Sequence, residues 1–326
     1  MATIIDVAKE AGVSIATVSR VINNSMAVSG ASKRKVQEAM VKVGYQSKEA
    51  RSDADKKYIL LVSAVYATDI VEGIVNQAEE LGYQVFVVYK SNATLGVRSV
   101  MMNMLDVCEK MAGLILMDVN HDKNDIQAIQ EHFPVVVVGE HACNGTYVVE
   151  TNIQQAVVEV IDLFVKKGRK RIALIIKEDN MGLDMQLASE MKMGYIQGLM
   201  KYSYEFKEEN IVQGEFSYSG GYESTMELLK RKERPDAILC ISDSVASGCL
   251  RALYDNNVKV PDEISVCGFN GEEAYEWTVP RLTTVKQNML EIGQEAVKTL
   301  DTLIQGAESK NSKIYIDHEI LERETT

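Results

Sequence analysis

In the first 23 positions apolar residues recur at helical spacing in two short bursts. Val7, Ala8 and Ala11 fall on one face of a first predicted helix, and Val18, Val21 and Ile22 on one face of a second. Thr3 and Asp6 stand three apart at the start, the spacing of a capping box. Gly12 lets the chain leave the first helix with positive φ. Ser14 caps the second. A third helix is predicted from about Ser32 to Lys42, ending at Gly44-Tyr45.

After residue 57 the pattern changes to short apolar runs alternating with amphipathic stretches. Tyr58–Tyr66, Tyr83–Tyr89, Gly113–Met117, Pro134–Gly139, Arg171–Ile176, Ala237–Ile241 and Ile264–Gly268 read as buried strands. Thr68–Leu81, a stretch around Val97–Met111, Asp122–Phe133, Asn152–Lys167, Ala188–Met200, Gly220–Lys230 and Ser244–Asn256 read as helices. Strands alternating with helices at this spacing predict parallel α/β sheets, and the length suffices for two. Residues 46–57 are polar and lack large apolar side chains, as a linker would.

The second helix has a polar front: Ser14, Ala16, Thr17, Ser19, Arg20 and Asn23. A helix that enters the DNA major groove needs short side chains for close approach, hydroxyls for phosphates and an Arg for a guanine edge. Charge agrees. The chain of 326 residues has a formal net charge of −12, yet residues 1–57 hold 10 Lys and Arg against 6 Asp and Glu. A basic head on an acidic body suits a DNA reader whose body does not touch the phosphate backbone.

The head resembles that of the lactose-repressor (LacI/GalR) family, which reads T-x-x-D-V-A-x-x-A-G-V-S-x-x-T-V-S-R-V-x-N; nearly every fixed position is present from Thr3 to Asn23. Further on, 235–243, 246–248, 260–269, 280–287 and the Ile292-Gly293 pair resemble the same family's effector domain. The resemblance spans the chain. It implies an α/β fold class: an all-α helix-turn-helix head and a periplasmic-binding-protein-like body of two parallel-sheet subdomains around a ligand cleft. The expected divisions are 1–45 for the head, 46–57 for the hinge and 58–326 for the body. Within the body one subdomain takes about 58–154 and 287–316, the other 155–286 and 317–326, with crossovers near 154, 286 and 317.

By that resemblance, Thr3, Ser14, Ile15, Ala16, Thr17, Ser19, Arg20, Asn23 and Arg51 contact DNA. Thr151, Met191, Phe216, Ser242, Asp243 and Asn270 stand at cleft positions. Three departures matter. The hinge lacks the usual Pro-Asn and the Leu that wedges into the minor groove; its place falls near Asp53 or Ala54, and a carboxylate repels phosphates. The first cleft loop, 63–69, is several residues short. Met191, Asn270 and Thr151 replace the Arg and two Asp residues that grip sugars, so common hexoses should bind poorly. Met181, Met185, Met191 and Met193 form either an adaptable cleft wall or ordinary core.

No G-x-S-x-G, H-E-x-x-H, phosphate-loop or dinucleotide motif occurs, so no enzyme, cofactor or metal site is expected. His121, His132, His141 and His318 are scattered. The basic run 166–171 reads as a helix end with Gly168 as its stop. Five widely spaced cysteines and an N-terminus that begins with a capped helix, not a signal peptide, predict reduced thiols in the cytoplasm. The expected protein is a homodimeric, cytoplasmic repressor on a near-palindromic double-stranded operator, answering to an unidentified small molecule. Two alternatives stay open: control by a protein co-regulator through a degenerate cleft, and a sugar-binding module without transcriptional role.

Overall fold

The protein is seen in a computed structural model that describes residues 3–22, 30–43, 57–64, 66–89, 111–117, 119, 123–139, 146–177, 183–307 and 312–326. Asn23, Arg51, nearly all of the linker and most of the stretch expected as a helix around 97–111 lie outside them. The chain divides into two units, Met1–Lys57 and Tyr58–Thr326.

The first unit holds three helices, α1 (Ile4–Ala11), α2 (Ile15–Ile22) and α3 (Gly30–Val43). The capping box forms: the Thr3 N–H donates to Asp6 Oδ2 at 2.7 Å, and the Asp6 N–H donates to Thr3 Oγ1 at 3.4 Å. Gly12 takes φ 67° at the end of α1. The Thr17 N–H donates to Ser14 Oγ at 3.1 Å, fixing the start of α2. Val7, Ala8, Val18, Val21, Val36 and Ala39 form the buried core.

The second unit begins with β1 (Lys57–Ser63), α4 (Thr68–Glu80), β2 (Tyr83–Tyr89), β3 (Met111–Met117), α5 (Lys123–Gln130), β4 (Val135–Val138) and β5 (Tyr147–Thr151). It continues through α6 (Ile153–Lys166), β6 (Ile172–Ile176), α7 (Leu183–Lys201), β7 (Ile211–Gln213), α8 (Tyr218–Leu229), β8 (Ala237–Cys240), α9 (Asp243–Asp255), β9 (Ser265–Asn270) and β10 (Thr283–Gln287). It ends with α10 (Met289–Ile304), β11 (Lys313–Ile316) and β12 (His318–Leu321).

These strands form two six-stranded sheets, ordered β11-β5-β4-β3-β1-β2 and β12-β10-β9-β8-β6-β7. The chain passes from the first to the second after β5, back after β10, and over again at Asp317. The described pairings are parallel except β10 with β12, which is antiparallel. The expected parallel sheets are present, with β12 as an antiparallel edge strand. Strand β12 joins the second sheet at its edge, beside β10, once the chain has crossed over from β11 in the first sheet.

Helices cover both faces of the first sheet, so its central strands are continuously apolar. Residues alternate between the faces. Ile59, Leu61, Ile115 and Met117 meet α4 and α10, whereas Leu60, Val62, Leu114 and Leu116 meet α5. The second sheet has its own core, which includes the free and fully buried Cys240, Cys249 and Cys267. The basic run 166–171 is a latch. Gly168 (φ 82°) turns the chain, and Arg169 Nε donates to Ser265 Oγ at 3.0 Å. Arg171 Nε donates to the Arg234 carbonyl at 2.7 Å, and Lys167 pairs with Glu322 at 2.7 Å. Among the described residues, no helix is long and apolar enough to cross a membrane.

Helices α4 and α10 touch backbone to backbone. A Cβ on Gly293 would lie 2.2 Å from the Ile70 carbonyl oxygen, and one on Gly73 would lie 2.1 Å from that of Leu290. Gly293→Ala should therefore lower stability by about 1–3 kcal/mol in urea unfolding, although alanine favours an isolated helix. An unchanged or raised midpoint would show that the two helices separate freely.

Candidate nucleic-acid interface and effector cleft

Helix α2 separates its two faces. Val18 is fully buried and Val21 nearly so, while Ile15 is 49% exposed and Ala16 and Arg20 face solvent. Exposing an isoleucine beside an arginine costs apolar burial in an isolated protein. It is useful where the helix meets a surface with both acceptors and methyl groups, as the major groove has. Ser14 and Thr17 are tied together, their hydroxyl oxygens 2.9 Å apart. Thr3 caps α1, and Ser19 is half-buried. Thr3, Ser14, Ile15, Ala16, Thr17, Ser19 and Arg20 thus lie in one small unit. Its frame is set by two caps and a six-residue core.

The body holds an open cleft of about 750 Å³ between its two subdomains. The N-terminal side supplies Tyr66, Thr68, Asp69 and Ile70 from the loop and first turn that follow β1. The C-terminal side supplies Phe216 and the segment after β9, including Asn270, Gly271, Glu272, Glu273 and Glu276. Lys286, Gln287 and Arg323 complete it from neighbouring strands. Tyr66 stacks on Tyr89 with ring centroids 4.5 Å apart and is 79% exposed.

Of the six expected cleft residues, Phe216 and Asn270 line it. Asn270 takes φ 111° at the end of β9 and accepts a hydrogen bond from Gln287 Nε2 at 2.9 Å. The other four point elsewhere and correct the expectation. Met191 is fully buried in the core of the second sheet. It shares one face of α7 with Ala188, Tyr195 and Leu199, all buried, at the spacing of one helix face. Met193 is 48% exposed on the same helix, so Met191 and Met193 do not share one surface; Met181 and the Met185 side chain lie outside the described residues. Thr151 ends β5 at 2% exposure, and its Oγ1 has no hydrogen-bond partner. Ser242 is fully buried as the N-cap of α9, accepting from the Val245 N–H at 3.3 Å.

Asp243 is also fully buried, yet it shapes the cleft from behind. Its Oδ2 accepts the Glu272 N–H at 2.7 Å and its Oδ1 accepts the Thr284 hydroxyl at 2.5 Å. One carboxylate therefore joins α9, β10 and the segment that forms the cleft wall. Gly268 leaves room for it, because a Cβ there would stand 2.2 Å from Asp243 Oδ1. Burial pushes the Asp243 carboxyl up to about 6, against the two hydrogen bonds, which pull it down.

Sequence comparison agrees with this architecture. Residues 3–48 match the profile of bacterial regulatory proteins, lacI family, and residues 161–326 that of the periplasmic binding protein-like domain. The chain is 30% identical over 339 residues to the HTH-type transcriptional regulator RegA of Clostridium saccharobutylicum, with both chains covered completely. It is 27% identical over 333 residues to catabolite control protein A of Priestia megaterium, covering 99% of each. It is 28% identical to the HTH-type transcriptional repressor PurR of Mannheimia succiniciproducens, covering 100% of this chain and 98% of that one. The structure of the lac repressor dimer bound to operator and the anti-inducer ONPF superposes with a TM-score of 0.75 at 26% identity, over 99% of this chain and 98% of that one. Fold and site define a DNA-binding transcriptional regulator with a ligand-binding-type body. The chain belongs to the lacI family of bacterial regulatory proteins.

The role of Asp243 has a pH signature. A carboxyl raised in the fold holds its proton more tightly than the unfolded chain does between the ordinary value of 3.8 and about 6. Acidification from pH 7 through that window therefore favours the folded state. Asp243→Asn removes this contribution. The stability of the wild type relative to Asp243→Asn should thus rise by about 1–2 kcal/mol from pH 7 to pH 5 in urea unfolding. Asp243→Ala orphans the Glu272 N–H and should cost about 2–4 kcal/mol at pH 7. A pH-independent difference would contradict the buried, raised carboxyl.

Proposed function

We propose that the chain is a dimeric repressor. Its two α2 helices read the half-sites of a near-palindromic operator, and a small molecule in the body's cleft sets operator affinity. The observation that carries this reading is the split face of α2, with Ile15, Ala16 and Arg20 outward over a packed Val18 and Val21. In this reading Arg20 donates to a guanine, Ile15 and Ala16 meet neighbouring base edges, and Thr3, Ser14, Thr17 and Ser19 hold phosphates. Asn23 and Arg51 belong to the same proposal by sequence. One head makes too few contacts for tight specific binding, and two heads matched to a two-fold site supply them. The lac repressor relative is a dimer on operator. This body leaves Tyr254, Trp277 and Val279 at 76%, 83% and 93% exposure, apolar surface that a second copy would cover. The cleft assignment rests on its volume and its place between the subdomains.

Gel-shift titration against an operator and its single-base variants tests the base reading. Arg20→Ala should cost about 1–3 kcal/mol and relax specificity at one position per half-site. Ser19→Ala should weaken all sequences alike, as loss of a phosphate contact does. A uniform loss for Arg20→Ala would overturn the assignment.

Pairing is tested separately. Tyr254→Asp combined with Trp277→Asp should give monomers in sedimentation and weaken operator binding about tenfold or more. A variant that stays dimeric would place the interface on another face.

A further inference from the structure

The cleft differs in chemistry from one built to grip a neutral sugar or an anion. Among the described residues, four carboxylates line it, Asp69, Glu272, Glu273 and Glu276, against two cations, Lys286 and Arg323. Arg323 is already engaged: its guanidinium donates to Glu276 at 3.1 Å and to the Leu282 carbonyl at 2.9 Å. That pairing neutralises Glu276 and leaves Lys286 facing three acids. Asp69 belongs to the N-terminal subdomain and Glu272 and Glu273 to the C-terminal one, so unneutralised carboxylates stand on both walls. Apolar faces accompany them. Tyr66 is braced on Tyr89, and Phe216 is 38% exposed within the cleft.

We propose that the cleft takes a small organic cation: a protonated amine on an aromatic or sugar-sized ring, its ring against Tyr66 or Phe216 and its ammonium between Asp69 and Glu272/Glu273. The proposal rests on reading the cleft as the effector site and adds the class of ligand. The physics favours it twice. An ammonium near an exposed aromatic face and between carboxylates gains from both. The empty cleft sets like charges on opposite walls, which opposes closure, and a cation removes that repulsion. The ligand therefore has different affinities for the open and closed states, the requirement for shifting one to the other. Among the described residues, an anionic ligand would meet three acids and one available lysine.

The test uses the full-length protein and two charge-matched sets of probes. Tyramine, tyrosol and para-hydroxyphenylacetate share one aromatic body with charges of plus one, zero and minus one. Glucosamine, glucose and glucuronate do so approximately on a sugar body. Calorimetry should rank cation over neutral over anion in at least one set, with about tenfold between cation and neutral. Asp69→Asn with Glu273→Gln should shrink the gap to within about threefold, and Lys286→Gln, acting in the opposite sense, should widen it. Thermal unfolding of the ligand-free variants checks their fold. Equal binding across both sets, an anion bound first in both, or no binding by either cation overturns the proposal. Gel shifts with each probe separate the two levels. A neutral or anionic probe that binds more tightly than its matched cation and moves operator affinity overturns the charge assignment and leaves the effector reading standing. A cation that binds without moving operator affinity upholds the charge assignment and removes the effector reading.

Discussion

The cleft depends on one buried carboxylate. Asp243 sits at the first turn of α9, where the helix dipole favours a negative charge. It spends that charge on a backbone N–H and a hydroxyl from two other elements. Apolar packing fills the space around it but does not fix direction. A charge-assisted hydrogen bond does, because a displaced donor would leave an unsatisfied polar group in the interior. The segment 270–276 carries most of the cleft's polar lining on the C-terminal side, and its Glu272 amide is pinned from behind. The glycine at 268 and the positive φ at Asn270 and Gly271 follow from this arrangement, since the chain must pass close to the carboxylate and then turn away.

The elements most legible in the sequence are those whose environment is simplest. Val135–Val138 is buried on both faces, so its strand is a plain apolar run. Helices α1 and α2 carry their own caps and apolar stripes, so local chemistry specifies them. Strands β11 and β12 were not legible. Both are four residues long at sheet edges, and side chains such as Lys313, Tyr315, His318 and Glu319 keep contact with solvent, so no apolar run marks them. Helix α10 also lies outside the elements expected from the sequence, although its periodicity is present there: Ile292, Ala296, Val297 and Leu300 recur at helical spacing and form its buried stripe.

The cleft was less legible than the fold, because lining is a property of direction. Position alone sends Met191 and Asp243 to the cleft; their side chains turn into the core, one by helix phase and the other by its hydrogen bonds. Glu272, Glu273 and Glu276 read as an ordinary polar stretch until the fold brings Asp69 to the same cavity from two hundred residues earlier in the chain. The loop 63–69 was noticed for its length, yet its contribution is Tyr66, whose exposed ring needs Tyr89 beneath it. No spacing rule connects those two residues; a strand pairing does.

Head and body solve the problem of order by different means. The body has two sheets and large apolar cores, so it can hold a carboxylate without water and leave a wide cleft open. Among its described residues the head has six in its buried core, few for burial alone to define the position of a recognition helix. Its definition comes from polar contacts at helix ends: the Thr3–Asp6 box, the αL turn at Gly12 and the Ser14 cap. Each such contact is individually modest, about 1 kcal/mol. Together they are a large share of what a unit this size can muster. The Thr and Ser residues of the family pattern therefore serve twice. Their side-chain oxygens cap α1 and α2, and in the proposed reading the same hydroxyls donate to phosphate oxygens.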